Sequence, residues 1–280
     1  MADGYGFMDF AIVSPLFPLQ GDYPTIQDAI ADGALSIYVK SGVYDTLQTI
    51  TVPSGTVIYG ESLDGVVINF MMDHWNFIIE GFGVRISGLS IRDSTNSMGV
   101  FHFNAAQNAI VEKCRIDNSD RAAIFNAATF CQFRDNWIQG CHLESVFIDS
   151  LSTDNRVSNN RMTDGQHYGI KVEGAFNKID GNTVAGHEYD GVLVVSKMNV
   201  ISNNTLNQNA NGIYVAKEGG DDNAIVGNVC VENRGYGINI NSLENAGNVA
   251  TTNVCKGNLV ADVRYVPGNI VGLNDGQNIV

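Results

Sequence analysis

The chain has 280 residues, 44% hydrophobic and 9% aromatic, which is enough apolar material for a long narrow core. Its 30 acidic residues against 16 basic ones give a formal charge of -14. That balance excludes a nucleic-acid-binding surface and opposes electrostatic capture of a polyanionic sugar, an objection that a bound Ca²⁺ would invert locally.

In chain order, residues 8–13 read as a first strand. Thr25 to Ile30 reads as a short amphipathic helix, with Pro24 near its first turn, placed to cover the N-terminal end of the core. Strands are expected over 37–43, 48–52 and 57–59, with a turn at Pro53-Ser54-Gly55, then over 66–70 and 75–79. Val84 to Ile91, Ala109 to Ile116 and Cys131 to Ile138 share a frame that becomes explicit from Asn155 onward.

There the frame is Asn, any residue, apolar, two small or polar residues, Asn, any residue, apolar. Its second Asn falls at 160, 182, 204, 228 and 253. Spacings of 22 to 25 residues are too short for a pair of helices and suit one turn of a solenoid of parallel strands. Gly169-Ile-Lys-Val172, Gly191-Val-Leu-Val194, Gly212-Ile-Tyr-Val215 and Gly237-Ile-Asn-Ile240 supply short strands between turns. Stacked asparagines donate to and accept from their counterparts one coil on, and they tolerate the left-handed backbone of sharp turns. Two rows follow: 155, 177, 199, 223, 248, and 136, 160, 182, 204, 228, 253. Cys114 and Cys131 take ladder positions as small buried residues, and Cys230 and Cys255 share an inward register. About eight copies at ~4.8 Å per stacked strand give a body roughly 45 to 50 Å long.

These residues, with Thr25-Ile-Gln-Asp-Ala-Ile30 and Ile37-Tyr-Val-Lys-Ser-Gly-Val-Tyr44 near the start, resemble the right-handed parallel β-helix (pectin-lyase-like) superfamily. The resemblance implies an all-β fold, a single-stranded right-handed parallel β-helix with a short N-terminal helical cap. One unit is expected over 1–280: strand and cap in 1–35, coils in 36–255, a closing segment in 256–280. The activity is left open, because that superfamily holds lyases, hydrolases, epimerases, esterases, phage tailspikes and noncatalytic adhesins. The motif sets of polygalacturonases and alginate epimerases are present only as fragments.

Function is expected on outward positions and turns. Aligning strands on Val100, Ile124, Val146, Ile170, Val192, Ile213 and Ile238 as inward residues places Phe101, Phe125, Phe147, Lys171, Leu193, Tyr214 and Asn239 outside. The phenylalanines form either a sugar-binding platform or a face covered by other copies in a homotrimer. Before those strands, three adjacent coils carry His142 and Glu144, then Asp164, His167 and Tyr168, then His187, Glu188 and Asp190. Residues one coil apart are neighbours, so the three histidines are expected to converge.

The expected catalytic set is Glu144, Asp164, His167, Lys171, His187, Glu188 and Asp190, with His142, Tyr168, Phe147 and Tyr214 binding substrate. Paired carboxylates suit glycoside hydrolysis; a His or Lys base with Tyr168 as acid suits a lyase or epimerase. The expected function is recognition of a polysaccharide, extended to its processing by one of these chemistries. The alternative is a noncatalytic structural or adhesive β-helix, such as a tailspike or virion component, that trimerises through Phe101, Phe125 and Phe147. No metal site is assigned, Ca²⁺ is the only cofactor considered, and neither nucleic acid nor membrane is expected as a partner. Met1-Ala-Asp-Gly-Tyr5 lacks the basic and apolar regions of a leader, so an extracellular or virion-associated setting reached without one is expected.

Overall fold

The computed structural model describes residues 10–71, 74–92, 98–216, 218–241, 247–272, 274 and 275. Three parallel sheets of twelve, ten and ten strands wind into a right-handed β-helix of about ten turns. In a typical coil, Arg156–Ser158 lies in the first sheet, Arg161–Thr163 in the second and Ile170–Val172 in the third, before Lys178–Asp180 re-enters the first one rung on. At ~4.8 Å per rung, the twelve-stranded sheet is about 53 Å long. Beyond Cys255, Ala261–Tyr265 and Ile270–Gly272 add a further rung to the third and first sheets. Of the expected first strand, Ala11–Val13 is present, and residues 8 and 9 lie outside the described residues, as do 273 and 276–280 of the closing segment.

The helix spans Ile26–Ala31, with Thr25 as its N-cap. The Asp28 N–H donates to Thr25 Oγ1 at 3.1 Å and the Thr25 hydroxyl donates to the Asp28 carboxylate at 2.6 Å, which satisfies an orphan donor of the first turn. Ile26 and Ala29 are buried against the core.

The two asparagine rows form as the spacing requires. Asn204 Oδ1 accepts from the Asn182 backbone N–H at 2.8 Å and from its side-chain amide at 3.0 Å, while Asn204 Nδ2 donates to Ile179 O and Asn228 Oδ1, both at 3.0 Å. Each row thus closes the hydrogen-bonding capacity of buried turns. Cys114 and Cys131 do continue the rows, their backbone N–H groups donating to Asn136 and Asn155. A third row was not visible in the sequence frame: Asn209, Asn233 and Asn258, headed by His187, whose N–H donates to Asn209 Oδ1 at 3.0 Å. All five cysteines are buried free thiols.

The phenylalanine row is corrected by the strand register. Phe101 pairs with Ala123 and Phe103 with Phe125, so both Phe101 and Phe125 point inward and are fully buried. Ala123, rather than Ile124, takes the inward position against Val146. A small alanine there leaves room for Phe101, which stacks on Phe77 at 5.1 Å and lies 6.4 Å from Phe133. Of the three, only Phe147 faces outward, so the row expected to carry a trimer interface is mostly core.

Candidate functional site

The true outward row on the third sheet is His102, Ile124, Phe147, Lys171, Leu193, Tyr214, Asn239. Ile124, Leu193, His102 and Asn239 are buried although they face out. The row and the residues just before its strands form one strip along the helix axis, the candidate groove.

One wall is built by the residues just before these strands. Ser145 N–H donates to Tyr168 O, Gly169 N–H to Asp190 O, Gly191 N–H to Asn211 O and Gly212 N–H to Tyr236 O. Glu144, Tyr168, Asp190, Asn211 and Tyr236 thus stack in register. The glycines that follow permit the close spacing. A Cβ at Gly169 would sit 2.6 Å from Gly191 O, and one at Gly212 would sit 2.4 Å from Gly237 O.

Glu144 is buried; its Oε2 accepts from Arg121 Nε at 2.8 Å and its Oε1 lies 3.5 Å from His167 Nδ1. Burial raises its carboxyl, but a backbone hydrogen bond, Arg121 and His167 together outweigh burial and hold it below the usual carboxylate range. Asp190 is buried too, and there burial wins: its carboxyl stands above the usual range although Asn211 donates to Oδ1 from Nδ2 at 2.7 Å and from N at 3.2 Å. Tyr168 lies in the wall between them, its hydroxyl raised by burial and then by Asp190, Tyr189 and Glu144. The His167, Tyr168 and Tyr189 rings pack at 4.5 to 5.2 Å. Two carboxyl groups with oppositely shifted affinities in one groove can divide acid and base work between them.

The other expected residues separate. Lys171 and Phe147 are on the groove floor, with Lys171 Nζ 2.7 Å from Glu173 and 5.3 Å from the Phe147 ring centre. Tyr214 is two rungs further on, 3.5 Å from Asn241 Nδ2. His142 Nδ1 lies 3.4 Å from Asp120 Oδ1. Asp164 sits on the turn leaving the second sheet, left-handed at φ 60°, exposed, and accepting from Gln139. Glu188 is exposed on its turn. His187 is inside the coil, fully buried, its Nε2 3.1 Å from Ser145 Oγ, and burial pushes its imidazole down to about 4. His187 therefore stands apart from the other two histidines, because it occupies a ladder position that points inward.

Sequence reading missed Arg121, Trp75, His102, Tyr189 and Asn211. Trp75 stacks on His102 at 4.2 Å at the N-terminal end of the groove. The one-residue slip at Phe101 hid His102. The recurring residue immediately before each strand glycine would have revealed Asp190, Asn211 and Tyr236 as one row.

A family model described as "Periplasmic copper-binding protein (NosD)" matches residues 48–270. No curated protein matches the sequence. Among solved structures, the Dettilon tailspike protein is similar at 15% identity and TM-score 0.71, over 96% of this chain and 60% of that one. This chain thus spans well under two thirds of the tailspike. An alginate lyase from Paenibacillus sp. matches at 13% identity and TM-score 0.68, over 91% of this chain and 95% of the lyase. The catalytic domain of a GH87 alpha-1,3-glucanase matches at 12% identity and TM-score 0.68, over all of this chain and 69% of that one. At these identities the structures establish the fold.

Among the described residues, the donors do not gather as a copper centre requires. The thiols are all buried in the core, with burial raising those of Cys114, Cys131, Cys141 and Cys230, and His187 is held by Ser145. No three His, Cys, Asp or Glu side chains gather as a metal-holding group among the described residues, and the same holds for a Ca²⁺ site. Among the described residues, no helix is long and apolar enough to cross a membrane.

Proposed function

We propose that this chain, which belongs to the NosD family, binds a polysaccharide along the groove of its third sheet and hydrolyses it there. The observation that carries the reading is the pairing of Glu144 and Asp190 on one wall, carboxyls of opposite shift with Tyr168 between them. They stand two rungs apart, about 10 Å between backbones along the stack.

In this reading Glu144, ionised, takes a proton from water as that water attacks the anomeric carbon. Asp190, protonated, gives its proton to the departing glycosidic oxygen. The bond between anomeric carbon and bridging oxygen breaks, and two shorter chains leave. His167 and Arg121 hold the Glu144 carboxylate, and Phe147, Tyr168 and Tyr214 offer ring faces to the sugar. Lys171 is held by Glu173, so its ammonium is committed within the protein. Asp164, Glu188 and His187 lie off the groove and take no part.

The setting we propose is extracellular or virion-associated, in line with the periplasmic description of the family and with the tailspike fold. Support for a glycan ligand comes from the groove and from neighbours whose titles describe an alginate lyase and a glucanase.

The test is incubation with a polysaccharide panel, with products read by mass spectrometry. Shortened chains whose mass includes one added water, formed by the native chain and absent with Glu144→Gln, are expected. Binding with no cleavage by the native chain would instead make it a noncatalytic adhesive β-helix.

A further inference from the structure

We infer that the groove takes an uncharged glycan, whose hydroxyls meet His102 at one end of the floor and Asn239 at the other. The inference rests on the polysaccharide reading above and names its ligand class.

Three observations carry it. First, the cations from His102 to Asn239 are already matched. Arg121 is bound to Glu144, and Lys171 is bound to Glu173 while lying over Phe147. Neither of these two is left to receive a row of uronate or sulfate groups, which need Arg or Lys partners; Arg264, one rung beyond Asn239 on the same row, lies over the Tyr236 ring at 5.6 Å. His102 adds no charge: burial pushes its imidazole down, and the nearby Glu80 and Asp149 only partly oppose this.

Second, the acids tilt the groove negative. Glu80 and Asp149 lie near enough to His102 to act on its imidazole, and the chain carries -14 overall. A polyanion would meet like charge along this path.

Third, two side chains on the floor, each more than nine-tenths buried, keep polar atoms with no protein partner: Asn239 Oδ1 and His102 Nδ1. An unpaired buried acceptor is costly and is relieved by a ligand hydroxyl. The two lie on the same outward row, six rungs apart, about 29 Å at ~4.8 Å each. Trp75 stacked on His102, with Phe147 and Tyr214 between the ends, gives ring faces suited to sugar. Neutral rings with hydroxyls satisfy both the aromatic surface and the orphan atoms, and bring no charge to repel.

The experiment is a glycan array carrying neutral, amino-sugar, uronate and sulfated oligosaccharides, probed with the full chain at 0.05 and 0.5 M salt. Binding confined to neutral oligosaccharides, changing less than twofold with salt, is expected. The Asn239→Leu variant, whose fold is checked by thermal melting, should bind the same glycans about tenfold more weakly, as loss of one buried hydrogen-bond partner implies. Salt-sensitive binding to uronate, sulfated or amino-sugar glycans would overturn the uncharged class and leave the polysaccharide reading standing. Full neutral-glycan binding by Asn239→Leu would overturn the placement on the groove floor. No binding to any glycan would remove both.

Discussion

Asn211 gives both its side-chain amide and its backbone N–H to one oxygen of Asp190, at 2.7 and 3.2 Å, on a wall where Asp190 is almost wholly buried. Two donors would ordinarily hold a carboxylate in its charged form, yet burial outweighs them and Asp190 keeps its proton to higher pH than usual. Glu144 has the opposite balance: burial raises it, but a backbone hydrogen bond, Arg121 and His167 together outweigh burial.

The pair fixes the pH dependence of cleavage. Activity needs Glu144 ionised and Asp190 protonated. It therefore rises as pH passes the lowered Glu144 value and falls as pH passes the raised Asp190 value, which puts the optimum on the acid side of neutrality. An initial-rate profile from pH 3 to 8 checks this. A rate still rising at pH 8 would rule out Asp190 as the acid.

Either carboxyl is expected to be indispensable. Glu144→Gln and Asp190→Asn should each lower the rate by about 10²-fold or more while changing glycan affinity little, the range for loss of a general acid or base. Paired rate and binding measurements on both variants check it. A matched fall in rate and affinity would instead make these residues binding groups.

His187 gives the fold its own acid sensitivity. Its imidazole, held near 4 by burial, is neutral in the folded chain, whereas an unfolded histidine titrates near 6.5. The folded value is the depressed one, so this contribution is complete above about pH 6.5 and is lost as pH falls toward 4. At pH 4.5 the loss is about 2 to 3 kcal/mol by that linkage. His187→Asn, which would extend the Asn209 row, should flatten the dependence. Urea unfolding at pH 7 and 4.5 on both chains measures it.

The asparagine rows bear much of the stability. Asn204→Ala removes four hydrogen bonds and strands the buried Asn182 backbone N–H, while Asn228 Oδ1 keeps the backbone N–H of residue 204. A cost of about 3 kcal/mol or more is expected. Denaturant midpoints compared with those of an exposed strand control such as Thr205→Ala check the size.

The phenylalanines separate core from groove. Phe101→Ala should cost about 3 to 5 kcal/mol, the range for emptying a packed aromatic site, because Phe101 is sealed against Phe77 and Phe133. Phe147→Ala should cost far less in stability and weaken glycan binding. Thermal melting and the binding assay together check the contrast. Equal destabilisation by the two would restore the outward alignment of Phe101.

The coil was legible because its period is written in asparagine, a residue whose amide must be matched when buried. The third row escaped notice because His187 heads it and its remaining members, Asn209, Asn233 and Asn258, fall outside the double-Asn frame. Glu144, His167, Tyr168 and Asp190 were readable as ionisable turns before strands. Their grouping without His187 and Asp164 depended on side-chain direction, which spacing does not supply. The Phe101 slip has a similar origin: alanine at 123 satisfies an inward position as well as isoleucine does, and only the packing of Phe77 and Phe133 decides between them.

The most direct test of the central claim is a crystal structure of the Asp190→Asn chain soaked with an oligosaccharide it binds. Sugar rings are expected in the third-sheet groove, over Phe147 and Tyr214, with the scissile linkage between Glu144 and residue 190. Sugar bound on the first or second sheet, with this groove empty, would contradict it.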